Sequence, residues 1–191
     1  MKILFVRHGE SEDDLINAYG GWNDFPLTEN GKVQISQSAQ RISELGVSFS
    51  KIISSSLSRA KSTSQIIAEK LGLEVEVFEY LKERNSYGVL SGMIKEEAKE
   101  KYPDQVSKLE NDEYVDGSER IEDLRLRINK ALDKLTKYSE DIIVVTHGSF
   151  LKEMFSILGK KLTKKSDGGF ILLEIENREI EVISSFGIEV E

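Results

Sequence analysis

The chain has 191 residues, 39% hydrophobic and 31% charged, with a formal net charge of −8, two prolines, no cysteine and two histidines, His8 and His147. This length suits one domain, residues 1–191, with one core, and no Gly/Ser/Pro-rich tract divides it. Disulfides, thiol catalysis and cysteine-type zinc sites are excluded. An acidic chain without a Lys/Arg block points away from nucleic acid, and an apolar start limited to Ile3–Val6 points away from a membrane and toward a cytoplasmic location.

In chain order, strand-length apolar runs fall at Lys2 to Arg7, Lys51 to Ser54, Glu74 to Phe78 and Asp141 to Thr146. Residues 3–6 and 142–145 are apolar throughout, as strands covered on both faces must be. Phe170 to Ile175 and Glu179 to Ser184, with Glu176-Asn177-Arg178 between them, read as a late hairpin. Between the runs the period becomes helical: Ile35, Ala39, Ile42; then Leu57, Ala60, Ser64, Ile67, Leu71; then Ile121, Leu124, Ile128, Ala131, Leu132, Leu135, Tyr138. These stripes read as core-facing sides. The alternation predicts a three-layer α/β/α sandwich around a mostly parallel, mixed sheet.

Both histidines stand at the ends of apolar runs and each is followed by glycine, in "KILFVRHGES" and "DIIVVTHGSF". In open α/β sheets ligands bind at the carboxyl ends of strands, so two remote segments are expected to deliver two imidazoles to one rim. Gly9 and Gly148 are read as sharp turns that let the backbone approach a ligand. In "SSSLSRAKST", Ser56 is the candidate N-cap of the next helix, which puts Arg59 in its first turn. A cation there opposes the helix dipole unless it and the free amides share a bound anion. After the third strand, "YLKERNSYGVLSG" places Glu83 beside Arg84, a candidate acid.

Four blocks in order, "RHGES", "SSSLSRAKST", "KERNSYGVLSG" and "THGS", with "GGWNDFPLTENG" after the first, resemble the histidine phosphatase superfamily, the phosphoglycerate mutase-like proteins, over almost the whole chain. The resemblance implies a phosphohistidine enzyme acting on a small phosphorylated metabolite. It makes His8 the nucleophile, Arg7, Arg59 and His147 the donors around the phosphoryl oxygens, and Glu83 the proton donor and acceptor. It also implies a substrate-binding set of Asn17, Gly20, Gly21, Arg84, Tyr87, Lys95, Gly148 and Ser149, with loop amides near Gly148 and the Ser149 hydroxyl as neutral donors. No metal or other cofactor is implied, apart from 2,3-bisphosphoglycerate as phosphoryl donor if the protein is a mutase.

The chain departs from the mutases in several places. It lacks their adjacent arginine pair in "DQVSKLENDEYVDGSER", has Ala18 where they carry an arginine, has Asp14 where an asparagine is usual, and is shorter. Glu83-Arg84, Tyr87 and Lys95 still follow the mutase loop, with one extra residue between Arg84 and Tyr87. The departures favour a phosphatase, with a 2,3-bisphosphoglycerate-dependent phosphoglycerate mutase as the alternative. Readings from other classes are a metal hydrolase using His8, His147 and Glu10 or Glu83, and a non-catalytic module that senses phosphorylated partners. No ligand-spacing motif supports the first, and the complete set of catalytic residue types speaks against the second.

Overall fold

A computed structural model describes residues 1–176 and 179–191. In chain order the elements are β1 (Lys2–Arg7), α1 (Glu12–Leu15), α2 (Glu29–Ser43), β2 (Lys51–Ser54), α3 (Ser58–Leu71), β3 (Val75–Val77), α4 (Lys95–Lys101), α5 (Pro103–Glu110), α6 (Ile121–Leu135), β4 (Ile142–Thr146), α7 (Gly148–Ile157), β5 (Leu162–Glu176) and β6 (Glu179–Val190). They form one six-stranded sheet in the order β3-β2-β4-β1-β5-β6. The β3/β2, β2/β4 and β4/β1 pairs are parallel, while β1/β5 and β5/β6 are antiparallel.

Alternation along the central strands builds the layers. Ile3 and Phe5 of β1, with Ile142 and Val144 of β4, turn to one face and pack with Leu124 and Ile128 of α6 and Phe150 and Met154 of α7. Leu4, Val6, Ile143 and Val145 turn to the other and meet Ile35, Ala39 and Ile42 of α2 and Ala60 and Ile67 of α3. Each large apolar side chain among them, fully buried, contributes roughly 1.5–3 kcal/mol. A third, smaller cluster of Tyr19, Leu90, Ala98, Val106 and Val115 supports the segments over the carboxyl end of the sheet. This is the mixed α/β sandwich expected.

The glycine after His8 has a different role from the one expected. Gly9 does not have a positive φ; a methyl there would lie 2.6 Å from the Gly31 carbonyl oxygen, and one on Gly31 would run into the Glu10 carbonyl. The pair lets the strand exit press against the first turn of α2, which holds His8 in place.

Boundaries differ in three places. The third strand is trimmed to Val75–Val77, and α6 ends at Leu135, before Tyr138. The hairpin strands are much longer than the apolar pattern: β5 starts at Leu162 and runs through Lys164-Lys165-Ser166-Asp167-Gly168-Gly169, with a register break against β6 between Lys165 and Phe170. Pairing to β6 overrides a sequence that reads as loop. The Asn177-Arg178 part of the expected turn lies outside the described residues. No helix among those described is long and apolar enough to cross a membrane.

Candidate active site

The β1/β4 register pairs Arg7 with Thr146, so the next residue of each strand, His8 and His147, must emerge side by side. The His8 amide donates to the Thr146 carbonyl (3.2 Å), and the ring centroids lie 4.9 Å apart. His8 Nδ1 is 2.7 Å from the Gly9 carbonyl oxygen, which only accepts, so Nδ1 carries the proton and Nε2 the lone pair. His147 is fully buried; its Nε2 meets Ser55 Oγ at 2.8 Å and its Nδ1 has no partner.

Arg59 sits in the first turn of α3, as expected, and is 2% exposed. Its Nε donates to His8 Nε2 (3.3 Å), while Nη1 and Nη2 donate to the carbonyls of Asn23 (3.0 Å) and Gly21 (2.8 Å). Gly21 reaches that position with φ +56°, a conformation glycine adopts without strain. The helix start itself differs from expectation: the N-cap is Leu57, not Ser56, and the Asp24 carboxylate takes the Ser58 amide (2.6 Å) and hydroxyl (2.7 Å). Burial pushes the Asp24 pKa up, but the Ser58 bonds and the charges of Lys61 and Arg59 bring it below the usual value. An internal anion, not a ligand, therefore occupies the N-terminus of α3.

Glu83 does the same for α7. Its Oε1 accepts the amides of Arg84 (2.8 Å), Ser149 (3.1 Å) and Phe150 (3.2 Å). The Ser149 amide, expected among the free donors, is thus committed to Glu83. The loop carrying Glu83 is clamped from below by Arg127, which donates to the carbonyls of Tyr80 (2.8 Å), Lys82 (2.7 Å) and Glu83 (3.1 Å) and forms a largely buried pair with Glu119 (2.8 Å). Thr146 Oγ1 adds a bond to the Leu81 carbonyl at 2.8 Å.

Arg7 is held by the bulged part of β5: Nη1 donates to the Lys165 carbonyl (2.5 Å), Nη2 pairs with Asp167 (2.8 Å), and buried Nε has no partner. Asp167 has a raised pKa, because burial and the nearby Asp14, Glu10 and Asp13 outweigh Arg7.

His8, Arg7, Arg59 and Glu83 face one cleft of about 240 Å³. Of the residues expected at the site, Arg7, His8, Arg59, Glu83, Gly20, Gly21, Arg84, Tyr87, Lys95, Gly148 and Ser149 line it. His147 lies fully buried beside His8 and is not part of the open wall. Asn17 is not brought in: it is exposed, and its carbonyl accepts the Lys95 amide. Asp14 does line the cleft, with Ser11 and Asp13. Its carboxylate also caps α1 by accepting the Ser11 amide at 3.3 Å. Sequence reasoning missed Lys165, which lines the cleft from β5, and Arg127, which lies beneath the loop. No pattern marked Lys165; Arg127 could have been found as a cation adjoining the apolar stripe of α6.

Both rings have pKa values well below 6.5. Burial is the largest cause; Arg59 and Arg7 add to it at His8, and His8, Arg59, Arg7 and Arg127 add to it at His147. The folded protein therefore holds both rings neutral while the unfolded chain protonates them below 6.5. Folding stability is unaffected by these groups above that pH and falls as pH drops beneath it. Each ring contributes a slope approaching about 1.4 kcal/mol per pH unit until its folded pKa is reached. Denaturant melts on the acid side of pH 6.5 are expected to show a shallower slope, by about that amount, in His147→Asn than in the parent.

Paired neutral imidazoles among fixed cations, at the carboxyl edge of a sheet, define the class of enzymes that transfer phosphoryl groups through a nitrogen nucleophile. Within that class the chain belongs to the histidine phosphatase superfamily, branch 1, whose family model matches residues 3–184. It is 32% identical over 168 residues to a 2,3-bisphosphoglycerate-dependent phosphoglycerate mutase of Parvibaculum lavamentivorans, covering 83% of this chain and 80% of that one. In fold it is similar to the α-ribazole phosphatase of Shigella flexneri, with a TM-score of 0.82, 19% identity and coverage of 95% of this chain and 94% of that one. It is also similar to a mycobacterial glucosyl-3-phosphoglycerate phosphatase in complex with VO3, with a TM-score of 0.76, 19% identity and coverage of 96% and 97%.

Proposed function

We propose that the protein is a phosphatase of small phosphomonoesters working through phosphohistidine at His8, with residues 1–191 forming one catalytic domain in the cytoplasm. The observation that carries this reading is the state of the two rings. His8 presents an unprotonated Nε2 beside Arg59, and a buried Nδ1 of His147 and a buried Nε of Arg7 lack partners. Unpaired buried polar atoms cost about 1–3 kcal/mol each, and an oxyanion seated against His8 would satisfy both.

In the first half-reaction, the Nε2 lone pair forms the N–P bond as the P–O bond to the leaving group breaks. Arg59 Nε–H then turns from Nε2 to a phosphoryl oxygen, Arg7 meets a second, and His147 Nδ1–H a third. Glu83, whose carboxylate rests on the α7 amides, takes up the proton that a monoanionic ester brings and passes it to the departing oxygen. In the second half Glu83 takes a proton from water, the hydroxide oxygen attacks phosphorus, and the N–P bond breaks, returning neutral His8 and inorganic phosphate. Asp13 and Asp14 on the cleft wall repel a second anionic group on the substrate, which favours metabolites whose only anionic group is the phosphate being transferred.

The second reading, a mutase, is favoured by the 32% identity to the named mutase and by Arg84 and Lys95 on the cleft wall. These two cations would hold the second charge of 2,3-bisphosphoglycerate, which supplies the phosphoryl group that primes His8. The deciding experiment incubates the protein with 3-phosphoglycerate plus 2,3-bisphosphoglycerate, and separately with a panel of phosphorylated metabolites, scoring inorganic phosphate and transferred phosphate together. Release faster than transfer is expected; transfer faster than release makes the protein a mutase.

A further inference from the structure

We propose that the Lys165 ammonium is an additional phosphoryl-binding group of this site, donating to an oxygen of the transferring group alongside Arg7. This rests on the reading of the cleft as a phosphoryl site and adds a ligand to it that lies in none of the four sequence blocks.

Four observations converge on this. Lys165 lines the same cleft as His8, Arg7 and Glu83. A methyl on Gly148 would lie 3.1 Å from Lys165 Nζ and 3.4 Å from Arg7 Nε, which puts the ammonium over the first residue of α7, next to the guanidinium. Among the described residues Nζ has no hydrogen-bond or ion-pair partner, whereas Lys164, its neighbour on the outer side, pairs with Glu189 at 3.0 Å. Finally, the amides of Ser149 and Phe150 are spent on Glu83, so the α7 terminus has little left for an anion and side-chain cations must supply the charge.

The residue as a whole is exposed, yet crowding around its ammonium is the chief cause of a lowered pKa; Arg7 and Lys152 add to it and Glu83 opposes it. A cation placed beside another cation without a partner is unfavourable in the empty cleft, and a bound oxyanion removes that repulsion. The absence of a side chain at Gly148 is what leaves room for both groups.

The Lys165 backbone and its side chain have separate duties, which makes the idea testable. The carbonyl holds Arg7 and survives any substitution, so Lys165→Met removes the ammonium and leaves the Arg7 clamp in place. Inorganic phosphate binding by calorimetry, aryl phosphate hydrolysis and the melting temperature are measured for the parent, Lys165→Met and Lys165→Arg. Gly148→Ala is added in the parent and in the Lys165→Met background. The expected result is phosphate binding and kcat/KM both about 10- to 100-fold weaker in Lys165→Met at an unchanged melting temperature, the range for losing one charge-assisted bond. Lys165→Arg should recover most of the loss, and Gly148→Ala should add less in the Lys165→Met background than in the parent. Parent-like phosphate binding in Lys165→Met, or an arginine variant as impaired as the methionine one, overturns the assignment of Lys165 alone. A parent protein that neither binds phosphate nor hydrolyses the ester overturns the phosphoryl reading and this proposal with it.

Discussion

Replacing His8 with alanine is expected to lower kcat/KM toward an aryl phosphate by about 10⁴-fold or more, because no other group in the cleft offers a lone pair in the same position. His147 cannot substitute: it is fully buried and its Nε2 is engaged with Ser55. The guanidiniums of Arg7 and Arg59 only donate. What remains is electrostatic stabilisation of direct attack by water, a small residue of the parent rate. Stability should change little, since the variant loses the bond to the Gly9 carbonyl and the longer one from Arg59 Nε, and water entering the opened cleft takes over both partners. An unchanged melting temperature with lost activity is the signature to look for. Deleting a reacting group costs orders of magnitude in rate, so a variant that keeps more than about a tenth of parent kcat/KM removes His8 from the chemistry.

Arg59→Met is the second large effect, and it differs in kind. One guanidinium nitrogen faces His8 while the other two tether the carbonyls of Gly21 and Asn23, so this residue both stabilises charge and holds the 20–24 loop over the cleft. Loss of one preorganised donor costs about 10²–10³ in rate. Leaving two carbonyls without their donor adds a stability loss of about 1–3 kcal/mol each where they stay buried. Arg59 is also the second-largest cause of the depressed His8 pKa, so its removal should shift the acid limb of the kcat/KM profile toward higher pH. Arg59→Lys retains a charge but not the fork, and should recover the pH limb better than the rate. An Arg59→Met variant with parent rate and parent pH profile contradicts both duties.

The parts of the molecule legible in the sequence are those where one local pattern decides the outcome. Residues 3–6 and 142–145 could only be strands covered on both sides, and two such strands ending in His-Gly were enough to pair His8 with His147. Arg59 was readable as a cation in a first turn, although what neutralises that helix start, Asp24, comes from a loop 34 residues earlier. The β5 bulge was not legible, since Lys-Lys-Ser-Asp-Gly-Gly carries no alternation and only long-range pairing to β6 extends the strand through it. That single omission hid both Lys165 and Asp167. Asn17 enters the expected set only through the family resemblance, as a neighbour of Asp14, and its left-handed backbone (φ 52°) goes with an exposed position and a carbonyl bonded to Lys95. Arg127 adjoins the apolar stripe of α6, but nothing local to it says that its partners include the carbonyls of Tyr80, Lys82 and Glu83, 44–47 residues earlier.

The most direct test of the His8 assignment is rapid acid-free quenching of a single turnover with 32P-labelled phosphomonoester, followed by peptide mapping. A phosphoramidate, stable to base and labile to acid, is predicted on the peptide containing His8, one per chain and absent in His8→Ala. Label on any other residue, or full turnover in which no labelled protein forms on the reaction timescale, contradicts the claim that Nε2 of His8 accepts the phosphoryl group.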